Sequence, residues 1–74
     1  MQFFIRSFVM PIIKVEMFAG RTLEQKRELG RSLTDAFIEA AGGKRESVHV
    51  IFTEVAKEDW SVAGELCSDR EARA

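Results

Sequence analysis

Cysteine and histidine are scarce in this sequence. The 74-residue chain contains one cysteine, Cys67, and one histidine, His49. A single cysteine excludes an internal disulfide, and the two residues together fall short of the four ligands of a structural zinc site. A chain of this length forms at most one domain, which hides only about 60% of its unfolded surface. Because such small domains need a disulfide, a metal or a partner chain, the composition predicts self-association.

The sequence has no excess of either sign of charge and no long apolar run. Eleven basic residues face twelve acidic residues, which gives a net charge of −1, and the two signs alternate along the chain. No basic stripe of the kind that binds nucleic acid is present. No apolar run approaches the roughly 20 residues of a membrane span. We therefore expect neither a nucleic-acid nor a membrane partner, and the lone thiol is compatible with a reducing cytoplasm.

Proline occurs once, as Pro11, directly after Met10. The preceding segment, MQFFIRSFV, is too short for a signal peptide and lacks a small-residue cleavage site. Three interpretations of this segment are open: an upstream start that the cell does not use, an added strand, or a disordered tail. The choice decides the chemistry of Pro11, because its nitrogen is an amide inside the chain and a secondary amine at a terminus.

A strand followed by a helix is predicted from residue 12 onwards. In IIKVEMF (12–18), Ile13, Val15 and Met17 share one face, as the period of two in a strand requires. Thr22 to Gln25 fits a capping box, in which each side chain accepts from the other residue's backbone N–H.

The helix is expected from about 23 to 41, with a stop at Gly42–Gly43. Gly30 inside it costs about 1 kcal/mol relative to alanine, which indicates a close contact there. The predicted inner stripe consists of Leu29, Leu33, Ala36, Phe37, Ala40 and Ala41.

A second strand is predicted in SVHVIFTEV (47–55), where His49, Ile51 and Thr53 share one face. A short strand or hairpin follows in WSVAGEL, and CSDREARA is expected to be a polar tail. Strand, helix and strand in this space form a βαβ unit with parallel strands and a right-handed crossover. Parallel strands need cover on both faces, and one helix covers only one. The predicted fold class is therefore α/β (α+β), one βαβ unit with a short C-terminal hairpin, completed by oligomerisation with pockets at the interfaces.

Common catalytic motifs are missing, and Arg21 is the most conspicuous polar residue. The sequence has no CxxC, no HExxH and no phosphate-binding glycine loop. A cation at a helix N-terminus opposes the helix dipole, yet the free amides there attract anions and an arginine strengthens that attraction. Arg21 is thus either a carboxylate-binding residue or an arginine in a solvated turn.

From Met10 to about Ser68 the chain resembles the 4-oxalocrotonate tautomerase family. The matching stretches are Pro11 with IIKVEMF, GRTLEQKREL, VHVIFTEVAKEDW and VAGEL. The resemblance implies an extension over 1–10 that the mature protein can lack, a tautomerase-like domain over 11–68 and a polar tail over 69–74. It also implies a cytoplasmic homohexamer, built as a trimer of dimers, that acts in aromatic hydrocarbon catabolism without a cofactor or metal.

The implied reaction is keto–enol tautomerisation of a small carboxylate, an unsaturated 2-oxo acid such as 2-hydroxymuconate. By resemblance, Pro11 is the general base, Arg21 holds a substrate carboxylate and takes part in catalysis, and Trp60 lines the pocket. His49 stands where well-studied members carry a second arginine, so it offers one hydrogen bond in place of a bidentate fork. Arg45 is the other cation close in sequence that can be considered for that role.

Two alternatives stay open. One is another activity of the same superfamily on a small carboxylate: dehalogenation, hydration or decarboxylation. The other is an inert oligomeric binding module, which applies if residues 1–10 are retained and the Pro11 nitrogen is an amide.

Overall fold

Two parallel strands and the helix that joins them form the body of the chain. The computed structural model describes residues 10–73. Strand β1 (Ile12–Phe18) pairs with β2 (His49–Val55), in a register that runs from Ile12 opposite His49 to Phe18 opposite Val55. Helix α1 (Leu23–Ala41) connects them, so the predicted βαβ unit is confirmed. The alternatives for residues 1–9 lie outside the described residues.

The predicted capping box sets the start of α1. The Thr22 hydroxyl accepts from the Gln25 N–H at 3.1 Å, and the Gln25 side chain accepts from the Thr22 N–H at 2.9 Å. Two amides that the first turn leaves without helical partners are satisfied in this way. At the other end, Gly42 has a φ of 79° and its N–H donates to the Ile38 carbonyl at 2.8 Å. The helix therefore has the bounds that the sequence predicts.

One side of α1 packs on the sheet. A Cβ placed on Gly30 would lie 3.9 Å from the Phe52 ring, an ordinary contact distance, so within one chain the helix meets β2 here without an approach close enough to require glycine. Leu29, Leu33 and Phe37 are half-buried, as predicted. The predicted stripe is wrong at its alanines, since Ala36, Ala40 and Ala41 are exposed. Their methyl groups are too short to reach the two strands, which lie under only part of a helix this long.

The opposite face of the sheet is uncovered. Within residues 10–73 no side chain is fully buried, and Ile12 and Ile51 stay 58% and 44% exposed. The exposed side chains of this open face are Ile12, Lys14, Glu16, His49, Ile51 and Thr53. Exposed isoleucines on a parallel sheet indicate a surface that needs cover, which agrees with the sequence prediction that one helix leaves one face bare.

The C-terminal part forms a hairpin and a short helix. Strands β3 (Ser61–Val62) and β4 (Glu65–Leu66) pair antiparallel, as the hairpin prediction requires. Helix α2 (Cys67–Arg73) occupies the stretch expected to be a polar tail. Ion pairs hold it: Lys57 contacts Glu71 at 2.8 Å, and Arg73 contacts Glu65 at 2.7 Å. These partners lie outside the helix, so its own sequence gave little sign of it.

No helix among residues 10–73 combines the length and the apolar character that a membrane crossing requires.

Candidate active site

Pro11 lies at the N-terminal end of the parallel sheet, next to His49. Its carbonyl accepts a hydrogen bond from the His49 N–H at 2.9 Å, one step before the first strand pair. Pro11 is half-buried, whereas Met10 before it is 51% exposed. The hydrogen bond fixes the carbonyl side of the proline and leaves its nitrogen at the edge of the sheet.

The His49 side chain belongs to the open face and is exposed. Arg45, the other cation considered for this end, forms an ion pair with Asp35 of α1. The helix packs on the face opposite to His49, so the structure does not bring Arg45 to the histidine. Within the described residues, His49 is thus the polar side chain that accompanies Pro11.

Arg21 lies beyond the other end of the strands. The ladder continues past Phe18 through a hydrogen bond from the Ala19 N–H to the Val55 carbonyl at 3.1 Å. Gly20, with a φ of 130°, then turns the chain into the helix cap, a conformation that other residues adopt only with strain. Arg21 is exposed, and within residues 10–73 it forms neither an ion pair nor a side-chain hydrogen bond. Its guanidinium is free to bind an anion.

Trp60 is at the same end as Arg21. Its ring packs on Phe18 with a centroid separation of 4.5 Å and an interplanar angle of 56°, a favourable tilted geometry. The Trp60 carbonyl accepts from the Cys67 N–H at 2.7 Å, which ties the residue to the start of α2. Trp60 is half-buried and presents an apolar wall beyond the C-terminal ends of the strands.

Lys57 is the residue at this end that sequence reasoning missed. Its ammonium lies 5.5 Å from the centre of the Phe18 ring and pairs with Glu71 at 2.8 Å. Phe18 and Glu71 are distant from Lys57 along the chain, and Lys57 itself lies in a short 3-10 helix, Lys57–Asp59. No local pattern signals the cluster.

One chain does not bring all the predicted site residues together. β1 is seven residues long, and at about 3.3 Å per residue its ends lie roughly 20 Å apart. Pro11 and His49 occupy one end, whereas Arg21 and Trp60 occupy the other. A small carboxylate is too short to contact both ends of the same chain. A site that contains all four residues has to be built from neighbouring chains.

Metal-binding side chains are dispersed over residues 10–73, which contain no group of three or more histidine, cysteine, aspartate or glutamate residues able to hold a metal ion.

Comparison with known proteins places these residues in a family. The family described as tautomerase enzyme matches residues 11–70. The 2-hydroxymuconate tautomerase of Bacillus subtilis is 42% identical over 62 residues, which cover 84% of this chain and 100% of that protein.

Solved structures of tautomerases also resemble this chain. A 4-oxalocrotonate tautomerase isozyme from Methylibium petroleiphilum aligns with a TM-score of 0.83 at 34% identity, covering 86% of this chain and 100% of that chain. A heterohexamer 4-oxalocrotonate tautomerase from Chloroflexus aurantiacus aligns with a TM-score of 0.76 at 33% identity, covering 81% and 97% respectively. With the matching βαβ fold, these similarities show that the chain belongs to the 4-oxalocrotonate tautomerase family.

Proposed function

We propose that the protein is an isomerase that converts an unsaturated 2-oxo acid, such as 2-hydroxymuconate, between its enol and keto forms. The observation that carries this proposal is the position of Pro11, with its carbonyl fixed by His49 and its nitrogen at the sheet edge. The similarity to the Bacillus subtilis 2-hydroxymuconate tautomerase supports this substrate class. The setting that we propose is the cytoplasm, in the catabolism of aromatic hydrocarbons.

The proposed base requires a chain that begins at Pro11. An internal proline nitrogen is an amide without a basic lone pair, whereas a terminal proline is a secondary amine. The family match beginning at residue 11 supports this start. Ordinary α-amino groups titrate near pH 8. Apolar surroundings and cations supplied by a neighbouring subunit would both disfavour an ammonium, and both would lower the pKa of the amine towards neutrality, where a general base is most effective.

The complete site is proposed to lie between subunits of a homohexamer. The open face leaves Ile12 and Ile51 exposed in the single chain, and a second copy would cover them. The opposite ends of β1 are too far apart to share a substrate, so Pro11 of one subunit would meet Arg21 and Trp60 of a neighbour. The relative from Chloroflexus aurantiacus, described as a heterohexamer, supports an assembly of this size.

In the proposed reaction the Pro11 nitrogen takes the proton from the enol oxygen. The enol C–O bond becomes a carbonyl, the conjugated double bonds shift, and the distal carbon takes a proton from the prolinium. The step moves one proton within the substrate and changes no oxidation state overall, so the Pro11 amine can carry it without a cofactor. Arg21 binds a carboxylate of the substrate and draws electron density towards it through the conjugated carbons. Trp60 excludes water from the Pro11 amine. His49 donates one hydrogen bond to the oxo end.

The second candidate is another superfamily reaction on a small carboxylate. The observation that favours it is His49, an exposed imidazole where a bidentate arginine would clamp a 2-oxo acid. A substrate with a single carboxylate, held by Arg21 alone, would then be hydrated, decarboxylated or dehalogenated.

Two measurements test the main proposal. The intact mass of the protein from its native host is expected to correspond to a chain that begins at Pro11. An ultraviolet assay then follows ketonisation of 2-hydroxymuconate by that chain and its variants. Pro11→Ala is expected to lower kcat/KM by about 10²- to 10⁴-fold, the range of a general base.

Arg21→Ala is expected to raise KM and lower kcat together, and Arg31→Ala, on the outer side of α1 beside Glu28, is the matched control. A native chain that begins at Met1 would exclude Pro11 as the base. So would a Pro11→Ala variant that is as fast as wild type.

A further inference from the structure

A lysine contacts the Phe18 ring of the Phe18–Trp60 pair. Lys57 places its ammonium 5.5 Å from the centre of the Phe18 ring, within the range of a cation–π contact. The same Phe18 ring packs on Trp60 at a centroid separation of 4.5 Å. The Lys57 side chain stays 39% exposed, so its contacts with Phe18 and Glu71, rather than burial, restrict the ammonium.

Glu71 holds that lysine in place. The carboxylate accepts from the Lys57 ammonium at 2.8 Å. Glu71 lies on α2, whose first residue, Cys67, donates its N–H to the Trp60 carbonyl at 2.7 Å. The short helix therefore contacts the Trp60 region twice, once through the backbone and once through the lysine.

A second ion pair on α2 does not touch the aromatic residues. Arg73 contacts Glu65 through two nitrogens, at 2.7 and 3.0 Å, and so ties the helix to β4. Arg70 of the same helix also approaches Glu65, at 4.0 Å. All three ion pairs hold α2, but among them only Lys57–Glu71 reaches the Phe18–Trp60 pair. A variant of Arg73 therefore tests the general stability of α2, whereas a variant of Lys57 or Glu71 also tests the packing of Phe18 and Trp60.

We propose that Lys57, held by Glu71, is a positioning residue that orients Trp60 through Phe18 and thereby sets the shape of the pocket wall. The kinetic consequence rests on the proposed function, because it requires Trp60 to line the pocket. The structural consequence does not, because it concerns the packing of Trp60 in the unliganded protein.

Trp60 itself supplies the measurement. It is the single tryptophan and the chain has no tyrosine, so intrinsic fluorescence excited at the indole band reports this residue alone. Lys57→Met keeps an unbranched side chain and removes the charge, and Glu71→Gln removes only the charge of the partner. In both variants we expect acrylamide to quench Trp60 about twofold more strongly than in wild type. Lys57→Arg keeps the cation and is expected to be quenched like wild type. Arg73→Gln is the control and is also expected to be quenched like wild type.

Salt provides an independent arm of the experiment. At 1 M ionic strength the Debye length is about 3 Å, so an exposed ion pair is strongly screened. Wild type at 1 M NaCl is therefore expected to be quenched like Glu71→Gln, while Glu71→Gln changes little with salt. Sedimentation in each condition verifies that the proteins compared have the same assembly state.

Activity is the last arm. With 2-hydroxymuconate, Lys57→Met is expected to lower kcat/KM about two- to fivefold, mostly through KM, the size of a partly exposed cation–π contact. Equal quenching of wild type and Lys57→Met would overturn the proposal. So would a change in Arg73→Gln as large as that in Lys57→Met. If no variant and no wild type ketonises the substrate, the proposed function fails, and the fluorescence arms still decide the role of Lys57.

Discussion

The N–H of His49 donates to the carbonyl of Pro11 at 2.9 Å, so these two residues form one end of the parallel sheet. Arg21 and Trp60 lie beyond the other end, roughly 20 Å away by the rise of a seven-residue strand. The site that we propose is therefore divided into two half-sites, which a small substrate cannot join within one chain. This separation makes the sharing of the site between subunits directly testable.

Subunit mixing is the first prediction. Pro11→Ala and Arg21→Ala chains, co-expressed with different tags and purified through both, are expected to recover activity that neither has alone. A Pro11→Ala chain keeps Arg21, and an Arg21→Ala chain keeps Pro11. With equal amounts and random mixing, about half of the sites contain an intact Pro11 and about half an intact Arg21, so about a quarter contain both. The measurement is kcat per subunit in the ketonisation assay. A mixed assembly no more active than the average of the two pure variants would show that Pro11 and Arg21 do not act together across an interface.

The second prediction concerns His49. His49→Arg introduces a permanent charge and a bidentate fork, so kcat/KM on a dicarboxylate 2-oxo acid is expected to rise about tenfold or more. His49→Lys supplies charge without the fork and is expected to give a smaller gain. The corresponding monocarboxylate substrate should respond less to either change. Unchanged kinetics in both variants would show that His49 does not face the substrate.

The third prediction concerns the open face. Ile51 is 44% exposed in the single chain, and the assembly that we propose would bury it. Ile51→Asp would place a charge in that interface and forfeit about 1.5–3 kcal/mol of apolar burial. Sedimentation is expected to show smaller species at micromolar concentration. Ser32→Asp, on the exposed side of α1, is the control. An Ile51→Asp protein that sediments like wild type would place the interface elsewhere.

The fourth prediction concerns the two glycines of α1 and its cap. A methyl group on Gly30 would lie 3.9 Å from the Phe52 ring, an ordinary contact distance, so Gly30→Ala is expected to raise the free energy of unfolding by up to about 1 kcal/mol. Gly42 has a φ of 79°, and Gly42→Ala is expected to lower that free energy by about 1–2 kcal/mol. Urea denaturation at fixed protein concentration measures both. A destabilised Gly30→Ala protein would indicate that the space beside Phe52 is filled in the assembly.

Features set by neighbours in sequence were predictable, and features set by distant contacts were not. The capping box of Thr22 and Gln25 and the stop at Gly42 depend on residues within one turn, and the helix bounds followed from them. The uncovered face followed from the period of two in the strands. Strand β2 begins at His49 rather than at Ser47 because Arg45–Ser47 forms a 3-10 turn, a detail that strand propensity does not reveal.

The site was harder to predict than the fold. Pro11 and Arg21 stood out in the sequence itself, and the resemblance added His49 and Trp60 as candidates, but only the strand register shows that the four residues divide between two ends. Lys57 and helix α2 depend on ion pairs to residues 14 and 8 positions away along the chain, and the two partners of each pair lie on different structural elements. Charges that meet only through tertiary structure leave no pattern in the sequence.

The lack of a fully buried side chain in residues 10–73 has a consequence for the protein at low abundance. A chain without its own interior gains most of its stability when it meets other chains, so its melting temperature should rise with protein concentration. Dilution then lowers the folded fraction, because fewer chains are assembled. In a cell the expression level would set the folded fraction, and newly made chains would be exposed to proteases until enough copies have accumulated to assemble.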